Sequence, residues 1–381
     1  MIKTYLDNAA TTPLDKRVIK EMKRYWRKDF ANPSSIHSMG VEAKKTLQKA
    51  RKTIADLLHA HDREMTFTSG GTEANNLAVF GLVNKGAHFI TTEIEHSSIL
   101  ECFKELERKG FKTSYMKVDG EGLVNPKDLR ELIKPETVLV SIGYANGEIG
   151  TIQPMKEVMK EVRHARKERS GPLYFHTDAS AAVQYLNLNV EELGIDLMTL
   201  DAQKIYGPKG IGALYVRDGV KIAPIIFGGG QEKGLRSGTE NIPLIVGFAK
   251  AMEINERLKE RENDRLTKIR DHFFSEVKKL IPNSVINGSL ESRLPNNIDI
   301  SIKGEDGEML VLRLDEAGIV CSSGSACASG SGESAIVRTI SQRSGMDEDG
   351  RAKGALRFSL GRDTKERHIK HLLKALSKIC K

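Results

Sequence analysis

What the 381-residue sequence lacks narrows its function first. No stretch approaches the roughly 20 apolar residues a membrane-spanning helix needs. The opening MIKTYLDNAATTP has no apolar signal-peptide core, so the expected location is cytoplasmic. The four cysteines, Cys102, Cys321, Cys327 and Cys380, form no CxxC pair and no Cys/His spacing. That argues against a disulfide framework or a metal site and fits free thiols in a reducing compartment. The GxxxxGK[ST] spacing is absent, so nucleoside triphosphate binding is not expected. There is no internal repeat, and one segment of low complexity, SSGSACASGSG at 322–332, reads as mobile. A formal charge of +8 could suit a nucleic acid. The basic residues are interleaved with acids, as in Glu256–Glu262 (ERLKERE), so a solvated surface is the simpler reading.

Short apolar runs alternate with helical stretches through the first two-thirds of the chain. The pattern predicts strands at Glu64–Thr68, His88–Thr91, Val138–Ile142, Leu173–His176, Leu197–Leu200 and Ala213–Val216. Helices are expected at Val41–His59, Asn75–Asn84, Ile99–Lys109, Met155–Arg169 and Val190–Leu193. Such alternation argues for an α/β domain with a mainly parallel sheet. From Ile245 to Leu280 the chain reads as a charged helix, taken as an exposed connector to a second domain. Beyond it come a strand at Asn297–Ile302, a helix near Glu308–Ala317, a strand at Ala355–Ser359 and a last helix from about Lys365.

Several segments could carry chemistry. Thr68–Asn76 (TSGGTEANN) follows a strand and opens a helix, where free amides suit an anion and Thr72 could add a hydroxyl. An ordinary turn capped by Ser69 or Thr72 explains the same residues. Asp178 ends a strand, where ligands collect in open α/β sheets, but it could equally cap a helix. A lone histidine such as His96 is commonly a satisfied loop residue. Lys204 follows Asp178 by one strand and helix; a lysine amine can join a carbonyl cofactor, and a carboxylate can pair with a pyridine nitrogen. Phosphate cradle, carboxylate and lysine together point to pyridoxal phosphate. Cys327 sits among Ser, Gly and Ala, which suits an exposed, reactive thiol, whereas Cys321 reads as core.

These stretches resemble the cysteine desulfurase family, a class V aminotransferase branch of the fold-type-I pyridoxal-phosphate enzymes. The matching segments are Tyr5–Pro13, Asn32–Gly40, Phe67–Asn76, Glu95-His96, Glu148–Pro154, His176–Ser180, Lys204–Val216, Gly228–Asn241, Ser322–Cys327 and Arg357–Arg362, in the family's order. The resemblance implies a large domain at 14–248 with a seven-stranded-type, mainly parallel sheet flanked by helices. A smaller α+β domain would be formed by 1–13 and 249–381. It implies a homodimer in which Lys204 joins the cofactor carbonyl, Asp178 meets the pyridine nitrogen and His96 stacks on the ring. Gly71 and Thr72 would hold the phosphate, with Thr239 reaching it from the other subunit, and Asn32 and Arg357 would hold the substrate carboxylate. Cys327 would take sulfur from L-cysteine as a persulfide, leave alanine, and pass the sulfur to an acceptor in iron–sulfur assembly or tRNA thiolation. Direct nucleic-acid binding is not expected. The cofactor pocket departs from the family: Asp201 and Gln203 replace serine and histidine beside the phosphate, and Gly147 and Ala181 replace asparagine and glutamine. Asp201 brings an anion toward the phosphate, which is unfavourable unless it is protonated or turned away. A selenocysteine lyase or other class V enzyme, and a weakened homologue kept as a sulfur-relay scaffold, are the alternatives.

Overall fold

The computed structural model describes residues 3–324, 332–345 and 350–380. Twelve strands occur among them. In chain order they are β1 (Thr4–Tyr5), β2 (Met65–Thr68), β3 (His88–Thr92), β4 (Lys112–Met116), β5 (Thr137–Ser141) and β6 (Tyr174–Asp178). They continue with β7 (Leu197–Asp201), β8 (Gly212–Val216), β9 (Ser284–Ile286), β10 (Asn297–Ile302), β11 (Ile319–Val320) and β12 (Ala355–Ser359). Seven form the central sheet in the order β2-β8-β7-β6-β5-β3-β4. Neighbours from β7 through β4 run parallel, while β8 is antiparallel to both β7 and β2. The expected α/β, mainly parallel, fold-type-I architecture is therefore present.

Both faces of this sheet are covered, and the alternation of side chains divides the core in two. Phe89, Leu139, Leu197 and Leu214 pack with Leu77, Ile99 and Phe103 of helices Gly71–Phe80 and Ser97–Arg108. Their neighbours Ile90, Val140, Met198 and Tyr215 join the opposite core with Ile54, Val158 and Phe248. Those last three come from helices Ser38–Leu57, Met155–Lys167 and Ile242–Leu280.

The 39-residue helix Ile242–Leu280 is not the exposed connector the charge density suggested. Ile242, Ile245, Val246, Phe248, Ala249 and Met252 are buried near its start, and Leu266, Ile269, Phe273 and Val277 near its end. Apart from the buried Glu262 and Arg270, its charges occupy the remaining face, so one helix serves both the large sheet and the three-stranded antiparallel sheet β12-β10-β9. The first residues return to that end of the chain. β1 pairs in parallel with β11, and Asp7 bridges to Ser359.

Candidate active site

Strands β3, β5, β6 and β7 all end on one side, and β2 ends beside them, so five loops converge at their carboxyl ends. There they wall a cavity of about 400 Å³, closed from the other side by Asn8–Ala10, Asn296-Asn297 and Arg357. Gly71, Thr72, His96, Asp178, Asp201, Gln203, Lys204 and Arg357 all line it.

Asp178 is held by both oxygens. Oδ1 accepts from the Ser180 amide at 2.8 Å, the local turn that a capping aspartate makes. Oδ2 accepts from Asn75 Nδ2 at 2.7 Å. Asn75 Nδ2 also donates to Ser98 Oγ at 2.8 Å, and Ser98 Oγ lies 2.8 Å from His96 Nδ1. A hydrogen-bonded chain thus joins Asp178 to His96 across two helices. His96 caps helix Ser97–Arg108, accepting from the Ser98 amide. Burial holds its imidazole below the usual histidine pKa. His96 therefore serves as a loop cap and as cavity wall at once.

Lys204 Nζ donates to the carbonyls of Ala9 at 2.6 Å and Ala10 at 3.0 Å. Arg357 is buried, donates to Asp7 Oδ1 at 3.0 Å, and reaches the Gly147 carbonyl at 3.4 Å. Its Nε is buried without a hydrogen-bond partner, which leaves a donor for an incoming carboxylate. Gly147 and Ala181 face each other in the wall, 3.7 Å apart when a Cβ is built on the glycine.

Helix Gly71–Phe80 is not capped by Ser69 or Thr72. Its N-cap is Gly70, with φ of 155°, and no side chain from the turn caps it. Instead Asp201, reaching across from the end of β7, accepts from the Gly71 amide at 3.3 Å. Gly212 allows this packing, since a Cβ there would lie 2.7 Å from the Gly70 carbonyl carbon.

Two residues of the sequence reading lie outside the cavity. Asn32 is exposed and accepts the Ser34 amide at 2.8 Å. Thr239 is exposed in the segment Gly228–Asn241. Cys327 falls outside the described residues, as does most of 322–332. Of the other cysteines, burial pushes the Cys102 and Cys321 thiols up to about 12 and Cys380 to about 11, far from a nucleophile's range at neutral pH. The sequence reading missed Asn75, Ser98, Glu95 and Asp7. Glu95 is buried in the cavity wall, accepts from the Gly143 amide at 3.0 Å and from Thr92 Oγ1 at 2.8 Å, and burial raises it to about 7. Their signal was proximity in sequence to the residues already singled out.

The aminotransferase class-V profile matches residues 4–372. The chain belongs to the class-V aminotransferases. Within that family it is 44% identical to "Cysteine desulfurase IscS" of Dictyoglomus turgidum over 98% of this chain and 94% of that protein. It is 42% identical to "Cysteine desulfurase IscS 1" of Archaeoglobus fulgidus over 98% of this chain and 95% of that one. A solved "NifS-like protein" superposes with a TM-score of 0.90 at 37% identity, covering 99% of both chains. "SspA in complex with cysteine" superposes at 0.80 with 34% identity, over 93% of this chain and 98% of that one. The resemblance to cysteine desulfurases therefore holds over nearly the full length, and with it membership of a pyridoxal-phosphate family. The donor set of this cavity fits that cofactor at its ring and carbonyl, with lysine, carboxylate and histidine all present. At the phosphate end the amide of Gly71 already carries Asp201.

Proposed function

We propose that this chain is a cysteine desulfurase that converts L-cysteine to alanine and loads the sulfur onto Cys327. The observation that carries the reading is the meeting of Lys204, Asp178, His96 and Arg357 in one cavity. In that reading Lys204 joins the cofactor carbonyl, Asp178 meets the ring nitrogen, His96 covers one ring face, and Gly71 and Thr72 lie toward the phosphate. When bound, pyridoxal phosphate supplies an electron sink that loosens the substrate's Cβ–S bond.

This chain's own residues do the rest. Arg357 orients the substrate carboxylate through a donor fork that Asp7 holds in place. Asn75 keeps Asp178 aimed, and Ser98 keeps His96 aimed. Lys204 Nζ, poised over the Ala9 and Ala10 carbonyls, carries the substrate's α-proton. The Cys327 thiolate attacks the substrate sulfur. An S–S bond forms, the C–S bond breaks with its electron pair left on carbon, and carbon takes a proton. Sulfur is oxidised to the persulfide level as carbon is reduced, so no outside oxidant is needed.

A homodimer completes the site in this reading, with Thr239 of one subunit and Asn32 contributing from exposed segments. Supporting it, Trp26, Phe30 and Ile36, near Asn32 in sequence, and Phe227, next to Gly228, are 57, 66, 98 and 81% exposed, apolar side chains that suit burial against a second copy. The division into a domain of 14–248 and one of 1–13 with 249–381 is part of the same proposal. So are delivery of sulfur to an iron–sulfur or tRNA-thiolation acceptor and a cytoplasmic location. Among the described residues no helix is long and apolar enough to cross a membrane.

The test is cysteine-dependent alanine and persulfide formation with added cofactor. Lys204→Ala should abolish both, and Cys327→Ser should abolish the persulfide together with alanine release. Undiminished alanine and sulfide from Cys327→Ser would overturn the persulfide route. Wild-type protein that takes up no cofactor would overturn the enzyme reading.

A further inference from the structure

We propose that Asp201 is an internal anion competing with the cofactor's phosphate for the start of helix Gly71–Phe80, and so sets how tightly this chain holds its cofactor. The proposal rests on the pyridoxal-phosphate reading above and concerns what is particular to this chain.

Asp201 is the last residue of β7, buried, and its side chain spans from one loop to the next. Oδ2 accepts from the Gly71 amide at 3.3 Å and from Gln203 Nε2 at 3.1 Å. Oδ1 accepts from the Gln203 amide at 3.1 Å. These donors are neutral groups, two backbone amides and a carboxamide, so they solvate the carboxylate without cancelling its charge. The carboxylate sits close against the helix start, at the edge of the cavity. A Cβ built on Gly71 would lie 3.4 Å from Asp201 Oδ2 and 3.1 Å from Ser180 Oγ. The carboxylate thus occupies the place an anion would take at a helix N-terminus, with the same amide.

Gln203 is drawn into the same arrangement. One N–H of its carboxamide, which a phosphate could otherwise use, is committed to Asp201. Asp201 and Gln203 form a closed clasp over the Gly70-Gly71 turn. A phosphate arriving there must either share the amides with a carboxylate a few ångströms away or displace it and break all three bonds. Both routes weaken phosphate binding, the first through like-charge repulsion and the second through lost charge-assisted hydrogen bonds. The ring and carbonyl contacts through Lys204, Asp178 and His96 are untouched. This chain should therefore gain little affinity from the phosphate and draw most of it from the ring.

The experiment is equilibrium titration of the full-length chain, freed of cofactor, with pyridoxal phosphate and separately with pyridoxal, read by visible absorbance. Asp201→Ser should tighten pyridoxal phosphate about ten- to hundredfold and leave pyridoxal affinity unchanged. Asp201→Asn keeps an acceptor for Gly71 but loses the charge, and should fall between. Inorganic phosphate should raise the melting temperature of Asp201→Ser and not that of the wild type, which also shows that the variant is folded. Equal affinity of all three proteins for pyridoxal phosphate, or a parallel gain for pyridoxal, would overturn the proposal and leave the cofactor reading standing. Uptake of pyridoxal phosphate by none of them would overturn both.

Discussion

The deepest anchor of the segment Gly228–Asn241 is the buried ion pair Arg51–Glu232, and removing one half of it should be costly. Arg51, on the inward face of helix Ser38–Leu57, donates through both terminal nitrogens to the Glu232 carboxylate, each at 2.6 Å. Both residues are buried. Arg51 also donates to the Met65 carbonyl at 2.9 Å and lies over the Phe67 ring, 4.8 Å from its centroid. Glu232 accepts the Phe67 amide at 2.9 Å, and the pair holds the loop where Glu232 and Lys233 both have positive φ. In Glu232→Ala the Arg51 charge stays buried without its carboxylate and the Phe67 amide loses its acceptor. Breaking such a pair from one side costs about 3–5 kcal/mol, and for a chain of this size that lowers the melting temperature by about 4–6 °C. Arg51→Ala should cost a comparable amount. The double variant should be clearly more stable than the sum of the two singles predicts, because it leaves no orphaned charge. Thermal melting followed by circular dichroism, with limited proteolysis at 228–241, reads both effects. A Glu232→Ala protein melting with the wild type, or a double variant that is strictly additive, would refute the reasoning.

Three other outcomes follow from the geometry. Arg357→Lys keeps the charge but loses the planar fork, so kcat/KM for cysteine should fall about tenfold or more, mostly through KM; steady-state alanine formation reads it. Glu95 is raised to about 7 by burial, so its folded form holds a proton that the unfolded form releases nearer 4.5. Wild-type stability should therefore fall relative to Glu95→Gln as pH rises from about 5 through 7, by at most about 3 kcal/mol, and parallel melting curves across that range would refute it. Because Cys102 and Cys321 are buried and the half-buried Cys380 thiol is raised to about 11, brief iodoacetamide treatment of the native protein at neutral pH should label one thiol, and Cys327→Ser should abolish that labelling; peptide mapping identifies the site.

Most of the central sheet was legible because its strands are short apolar runs buried on both faces. The strand β4 escaped notice because Lys112–Met116 is an edge strand with only Met116 buried, and KTSYM carries no apolar run. β1 and β11 are two residues each, too short for any periodicity to register. The helix Ile242–Leu280 was misjudged because charge density outweighed the apolar positions at 242, 245, 246, 249 and 252, which already spelled a buried face. In the site, Lys204, Asp178 and His96 could be found from residue type and position after strands. Asn75, Ser98 and Asp7 lie near singled-out residues, but their roles were hidden: Asn75 and Asp7 act on the distant Asp178 and Arg357, and Ser98 is tied to Asn75 only by the fold. The direction in which Asp201 points was likewise undetermined by sequence. Only the register of β7 against β8 and the close approach of Gly212 to Gly70 turn it onto Gly71.

The return of the first residues to the far end of the chain has a consequence for synthesis. Lys204 is held by the carbonyls of Ala9 and Ala10, whose turn is stitched to Ser359 through Leu6, Asn8 and Ala9. A ribosome-bound chain that has emerged only as far as the long helix already holds Lys204, Asp178 and His96, yet lacks both β12 and Arg357. Its lysine has no fixed wall to rest on and its cavity is open to water. The cavity therefore closes only once β12 and Arg357 are in place, so the site is completed late in folding, after the sheet that carries Lys204.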